Sequence, residues 1–260
     1  MLYYGNSDIG MKRNINQDSF MAIPVWGGEA TLLVVCDGMG GHKAGDIASK
    51  KAIEAFTNSM FSCESPEEEL DEKTVGAQIR YHLVESCDRA NREIFTMSAS
   101  NKDYHGMGTT LVAAFIYKNR MYAVNIGDSR LYMITRYKTM QISHDHSFVQ
   151  YLIDSGKLTE EEAKTYPRRN VITRAIGVSE KAEVDYFSTD LSEWDGGYLL
   201  LCSDGLSNYV DNEKMFDVVY GSGPKDGETE EDLAEKVNKL IEMANSGGGA
   251  DNITAVIGKF

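Results

Sequence analysis

Three aspartates stand where apolar runs begin or end. Thr31-Leu32-Leu33-Val34-Val35-Cys36 stops at Asp37, and Tyr198-Leu199-Leu200-Leu201-Cys202-Ser203 stops at Asp204. Ile253-Thr254-Ala255-Val256-Ile257 starts just after Asp251. Leucine-rich and β-branched runs of this length, bounded by glycines, read as buried strands. Strand ends of this kind meet at one sheet edge, and carboxylates gathered there repel unless they are protonated or share a cation. Oxygen donors select hard ions such as Mg²⁺ or Mn²⁺, and no histidines or cysteines are spaced for zinc. Asp37 is the candidate bridging carboxylate and the Gly38 carbonyl an additional oxygen, with Asp204 and Asp251 completing a two-ion site. Two such ions about 3.5–4 Å apart activate a shared water and stabilise charge on a phosphoryl group.

Further residues fit the same chemistry. Asp18 closes Arg13-Asn14-Ile15-Asn16-Gln17-Asp18, just before a strand, and Asp128 lies in Gly127-Asp128-Ser129-Arg130 after the apolar run Met121 to Ile126. From spacing alone Asp128 is equally an ion ligand or a hairpin residue. The fork of Arg13 suits a pair of phosphate oxygens, against the alternative of a surface ion pair. His42 follows Asp37-Gly38-Met39-Gly40-Gly41. It suits a proton donor to a leaving alkoxide, against a structural hydrogen bond. A single Asp-Gly is ordinarily a plain turn; several acids at apolar strand ends weigh against that reading here. His144 and His146 flank Asp145 and are read as structural.

The elements that must position these residues follow from the apolar pattern. Strand-like runs come as neighbouring pairs: Ser19 to Ile23 with Thr31 to Cys36, then Thr110 to Tyr117 with Arg120 to Ile126, followed by Arg130 to Ile134. Short turns such as Lys118-Asn119 predict antiparallel pairing. Apolar stripes at helical spacing predict helices over Ala44 to Met60, Thr74 to Met97 and Thr229 to Asn245. Thr229 with Asp232, and Thr159 with Glu162, read as N-terminal caps. The acidic stretch Glu64 to Lys73 reads as a loop between two helices. Strand pairs with one-sided helices predict a layered α+β domain, sheets inside and helices outside.

Bulk properties narrow the function classes. The chain has 260 residues, 42% of them apolar and 25% charged, with a formal net charge of −14. That suits one large domain or two small ones. So acidic a chain is poorly suited to nucleic acid phosphates or anionic lipid. No apolar stretch approaches a membrane span, and Met1 to Asp8 lacks the features of a secretory signal. Cys36, Cys63, Cys87 and Cys202 read as free thiols in a reducing compartment.

Taken together, these stretches resemble the metal-dependent PP2C-type (PPM) protein phosphatases, in particular the compact bacterial members. The pieces that carry the resemblance are Arg13 to Asp18, Val35-Cys36-Asp37-Gly38-Met39-Gly40-Gly41-His42, Gly108-Thr109-Thr110, Gly127-Asp128-Ser129-Arg130, Asp145-His146-Ser147, Thr173-Arg174-Ala175-Ile176-Gly177, Cys202-Ser203-Asp204-Gly205-Leu206 and Asp251-Asn252. They occur in family order over essentially the whole chain. The resemblance implies a single catalytic domain over 1–260 with the α+β fold of a four-layer αββα sandwich, a central antiparallel β-sandwich flanked by antiparallel helix pairs. A variable flap corresponds to about 152–170. It implies hydrolysis of phosphoserine and phosphothreonine by water held between two Mn²⁺ or Mg²⁺ ions, without a phosphoenzyme. Asp37 and Gly38 with Asp204 and Asp251 would hold that pair, and Asp18 would hold its waters or a metal directly. Asp128 with Asp204 would hold a third, weaker ion. Arg13 would grip the substrate phosphate, and His42 would be the general acid. With no acid missing, an active enzyme is implied, as a cytoplasmic monomer with neither membrane anchor nor nucleic-acid partner. Its partners would be phosphoSer and phosphoThr proteins and a Ser/Thr kinase of the eukaryotic type. The competing readings are a metal-dependent phosphomonoesterase or nuclease acting on other esters, a non-catalytic phosphoprotein-binding module, and a Ca²⁺-stabilised domain.

Overall fold

The computed structural model describes residues 1–41, 44–221 and 227–260. The elements, in chain order, are β1 (Leu2–Asp8), β2 (Asp18–Val25), β3 (Ala30–Met39), α1 (Ala44–Phe61), α2 (Glu72–Ser100), β4 (Gly108–Thr109), β5 (Leu111–Tyr117), β6 (Arg120–Ile126), β7 (Arg130–Ile134) and β8 (Thr139–Gln141). They continue as α3 (Phe148–Asp154), α4 (Glu160–Ala163), β9 (Asp185–Asp190), β10 (Tyr198–Cys202), α5 (Asp204–Ser207), α6 (Asn212–Val219), α7 (Glu230–Ser246) and β11 (Ile253–Lys259).

The strands form two antiparallel sheets. One has the order β1-β11-β10-β7-β8; the other runs β2-β3-β5-β6-β9, with β4 paired to the end of β3. Alternation along each strand sorts side chains between two faces. Leu33, Val35, Val112, Leu131, Leu199, Leu201 and Val256 fill the space between the sheets. Their strand neighbours Leu32, Val34 and Cys36 pack outward on Ala48, Ala52 and Phe56 of α1 and Ile79, Leu83 and Cys87 of α2. On the other side Leu200, Cys202, Ala255 and Ile257 pack on Leu233, Val237 and Leu240 of α7. Strands buried on both faces explain why these runs are almost continuously apolar. The three cores make the four layers that the sequence predicts.

Local chemistry sets the element ends. Thr229 with Asp232, and Thr159 with Glu162, form complete capping boxes. The loop expected over Glu64 to Lys73 is shorter at its far end, because Asp71 caps α2 by accepting from the Thr74 N–H at 2.9 Å. Lys118, at φ 51°, turns the β5–β6 hairpin. Strands β1 and β9 are absent from the sequence reading. Each carries many polar residues and is drawn into its sheet by one neighbour, β11 and β6 respectively.

Between β8 and β9 the chain leaves the sheets. Helices α3 and α4 lie here, closed at the base by the Ser147–Ile172 bridge and the Phe148 N–H to Val171 carbonyl bond of 2.7 Å. Of residues 152–170 only Ala163 is buried.

Candidate metal centre

Antiparallel pairing brings the acids to one end of both sheets. Strands β10 and β11 run opposite ways, so Asp204 after one and Asp251 before the other fall at the same end. Asp18 and Asp37 are register partners on β2 and β3. Asp128 sits in the tight turn between β6 and β7, where Gly127 adopts φ +113°.

Asp37 lies within β3 rather than at its end. The strand runs on to Met39 because Gly38 and Met39 pair with Thr109 and Gly108 of β4. This fixes the Asp37 backbone. Its N–H donates to Thr110 Oγ1 at 2.9 Å; its carbonyl accepts from the Thr110 N–H at 2.9 Å and Thr109 Oγ1 at 2.8 Å. A Cβ on Gly38 would collide with the Gly45 and Gln17 carbonyls, so the turn from β3 into α1 closes only on glycine.

Asp18 is buried. Its Oδ2 accepts from Ser203 Oγ and Thr254 Oγ1, both at 2.7 Å, while its Oδ1 is buried without a hydrogen-bond partner. Asp204 accepts from Asn208 Nδ2 at 3.1 Å through Oδ2, and its Oδ1 is likewise unpartnered. Asp251 accepts from Arg13 Nη2 at 2.7 Å through Oδ2 and from the Asn252 N–H at 2.8 Å through Oδ1.

The electrostatics are those of crowded acids partly removed from water. Desolvation, then the charges of Asp204 and Asp251, push Asp18 up to about 7 against the hydroxyl bonds. Desolvation and the Asp204 and Asp145 charges push Asp128 up to about 8. Asp37 is raised well above the ordinary carboxylate range by burial and by Asp18, Asp204, Asp128 and Asp251; Asp204 is raised by burial and by Asp251. Arg130, on the neighbouring strand β7, is fully engaged: it chelates Asp145 at 2.7–3.0 Å and reaches Tyr132 OH at 3.0 Å. Its charge offsets only part of the rise at Asp128 and Asp204.

Among the described residues no three Asp, Glu, His or Cys side chains close on one point as a finished ligand cage. Yet the donors fit hard cations. They are all oxygens, two of them are buried without a partner, and desolvation together with mutual repulsion raises the affinity of Asp18, Asp37, Asp128 and Asp204 for a proton or a positive ion. Asp18, Asp37, Asp128 and Asp204 are brought within electrostatic reach of one another, and Asp251 stands at their edge. Arg13 is present in the same group, but with its guanidinium on Asp251 and about half exposed. His42 lies outside the described residues. His144 pairs with Asp154 at 2.8 Å on the surface; His146 is buried.

Sequence reasoning gave no role to the residues that hold the centre in place. Asn252, beside Asp251, donates to the Ile9 and Ile15 carbonyls at 3.0 Å each and accepts from the Gln17 N–H at 2.9 Å. It pins the loop that carries Arg13 and leads into Asp18. A polar residue buried at the head of an apolar strand was the available signal. Thr110, Ser203 and Thr254 act across separations of 51 residues or more, which no local pattern displays.

Known proteins share this sequence and fold. A family model for protein phosphatase 2C matches residues 9–242, a span that holds Asp18, Asp37, Asp128 and Asp204 and stops before Asp251. The serine/threonine phosphatase stp of Listeria monocytogenes is 37% identical over 226 residues, 87% of this chain and 83% of that protein. The S. agalactiae serine/threonine phosphatase structure superposes with a TM-score of 0.85 at 33% identity, covering 98% of this chain and 97% of that one. The catalytic domain of the serine threonine protein phosphatase PstP, solved with two manganese ions, superposes with a TM-score of 0.77 at 34% identity, covering 98% and 96%. Agreement over most of the chain in sequence, and over nearly all of it in fold, places this protein in the protein phosphatase 2C family, among the bacterial metal-dependent serine/threonine protein phosphatases.

Proposed function

We propose that this chain hydrolyses phosphoserine and phosphothreonine in proteins at the acidic centre, with Asp37, Asp204 and Asp251 and the Gly38 carbonyl holding two Mn²⁺ or Mg²⁺ ions. Asp18 supports that pair from β2, beside Asp37 in the same sheet, and Asp128 with Asp204 forms the place for a weaker third ion. The observation that carries this reading is the gathering of four mutually repelling carboxyls at one end of the sandwich, Asp18 buried and Asp37, Asp128 and Asp204 half-buried, two of them with a buried, unpartnered oxygen. When bound, the ions supply a water acidified to near neutral pH and positive charge against the phosphoryl oxygens.

The chain's own residues do the rest. Arg13 reaches the edge of the centre from a pinned loop, and a phosphate dianion competes with Asp251 for its two-pronged guanidinium. His42 protonates the departing serine or threonine oxygen. Ser203 and Thr254 keep Asp18 aimed by spending their hydrogens on one of its two oxygens. The 152–170 segment shapes the approach of the substrate chain. The proposed setting is the cytoplasm, where the four free cysteines suit reducing conditions. Among the described residues no helix is long and apolar enough to cross a membrane. A Ser/Thr kinase that supplies the phosphoproteins is the proposed partner.

A phosphate-release assay on phosphoserine and phosphothreonine peptides, a nucleotide and single-stranded DNA tests the reading. Release from the peptides alone, lost on chelation and restored by Mn²⁺, is expected. Equal release from the nucleotide or DNA, or release that survives chelation, overturns it. For His42→Ala the loss should be larger on an alkyl than on an aryl phosphate; equal losses remove His42 from the acid role.

A further inference from the structure

His146 sits between the Asp128 turn and the segment that leaves the sandwich. Its side chain is buried at 5% exposure, and both ring nitrogens are engaged. The Gly127 N–H donates to Nδ1 at 3.1 Å. An amide nitrogen can only donate, so Nδ1 is the bare nitrogen and Nε2 carries the hydrogen. That hydrogen faces Asp185 Oδ2 at 3.1 Å. Arg174 Nη1, 3.0 Å from Nε2, donates to the other oxygen of Asp185 at 2.9 Å.

The main chain of His146 repeats the same linkage. Its N–H donates to the Gly127 carbonyl at 2.9 Å, and its carbonyl accepts from the Thr173 N–H at 2.7 Å. The next residue, Ser147, bridges to Ile172 at the base of the excursion that carries the 152–170 flap, and the chain leaves that base through Thr173 and Arg174. One residue therefore touches the turn that presents Asp128 on one side and the chain just beyond the flap on the other.

We propose that His146 is a positioning residue that ties the Gly127–Asp128 turn to the chain just beyond the 152–170 flap, so that the seating of the flap and the hold of Asp128 on an ion are coupled. The proposal rests on the reading of Asp128 as an ion ligand. Ring nitrogen Nδ1 serves the ion side by holding the turn, and Nε2 serves the flap side through Asp185, which in turn accepts from Arg174. Partners of this outer kind are worth about 10- to 100-fold in metal affinity when removed.

Two variants separate the two ends. His146→Asn places an oxygen acceptor near the Nδ1 position and has nothing at Nε2; His146→Ala has neither. Mn²⁺ binding is followed by calorimetry. Flap seating is followed in metal-free protein by trypsin cleavage after Lys157, Lys164, Arg168 and Arg169, all exposed in the flap. For His146→Ala we expect the weakest ion to bind about tenfold less tightly or worse, with faster flap cleavage. For His146→Asn we expect near-normal ion binding with cleavage as fast as in His146→Ala. The inference is overturned if His146→Ala binds Mn²⁺ as the unaltered protein does, or if the two variants behave alike in both assays, as a mere packing role requires. Asp128→Asn is the separate check on the underlying reading: if it binds as many ions as the unaltered protein, Asp128 is not a ligand and that reading fails on its own.

Discussion

Asp18 and Asp37 stand directly opposite each other on β2 and β3, a buried and a half-buried carboxyl as cross-strand partners in one sheet. Side chains so placed lie about 4.5–5.5 Å apart at Cβ, and like charges there oppose folding. The pair is tolerable only if protons or a cation relieve it. This gives the metal-free protein a definite dependence on pH. Asp18 is raised to about 7 and Asp128 to about 8, while the same groups titrate near 4 in the unfolded chain. Between those values the folded form binds more protons than the unfolded form, so stability must fall as pH rises. The melting temperature of chelator-treated protein should drop steadily from about pH 4 to pH 8. Mn²⁺ should restore it at the upper end, and Asp18→Asn should flatten the slope. A melting temperature that rises over this range in the metal-free protein would contradict the burial of these charges.

Replacing the central acid should separate stability from activity. Asp37→Asn removes a charge that three or more neighbouring carboxylates repel. The variant should melt above the unaltered protein when both are metal-free at pH 8. Its turnover should fall by about three orders of magnitude, roughly 4 kcal/mol of transition-state stabilisation. Thermal melts and phosphopeptide kinetics on the same preparation check both halves.

Arg13 should matter for substrate and little for folding. Its bond to Asp251 is short, but the side chains are 47% and 32% exposed, and such pairs contribute about 0–1 kcal/mol. Arg13→Ala should leave the melting temperature nearly unchanged. It should raise KM for phosphopeptides about tenfold and weaken inhibition by inorganic phosphate by a similar factor, about 1.4 kcal/mol. Arg13→Lys should recover only part, because an ammonium cannot match two oxygens at once. Initial-rate measurements with phosphate as inhibitor check this.

Asn252 should matter for both. It makes three hydrogen bonds to the 9–17 backbone and is buried. At about 1 kcal/mol for each bond, Asn252→Ala should cost about 2–3 kcal/mol of stability. It should also lower kcat/KM, because Arg13 and Asp18 ride on the segment it anchors. Urea unfolding and kinetics of this variant check the two effects together.

How far the sequence discloses such a molecule depends on the range of the interaction. Capping at Thr159 and Thr229 involves neighbours three residues away, and both caps stand where the pattern puts them. The strands of the three cores were legible because burial on both faces leaves mostly apolar residues, with few exceptions such as Asn125 and Thr254. Strand β1 was not, since Asn6, Ser7 and Asp8 read as a polar tail until β11 pairs with them. The acids themselves were legible from their position beside apolar runs. What orients them was not: Thr110 reaches Asp37 across 73 positions, and Thr254 reaches Asp18 across 236. The continuation of β3 through Gly38 depends on a two-residue partner, β4, that has no strand signature of its own.

The most direct test is anomalous scattering from crystals of this protein grown with manganese. Two strong peaks should appear between Asp37, Asp204 and Asp251, with Arg13 turned away from Asp251 wherever phosphate is also bound. Manganese-loaded crystals with no anomalous signal beside these three aspartates would contradict the account at its centre.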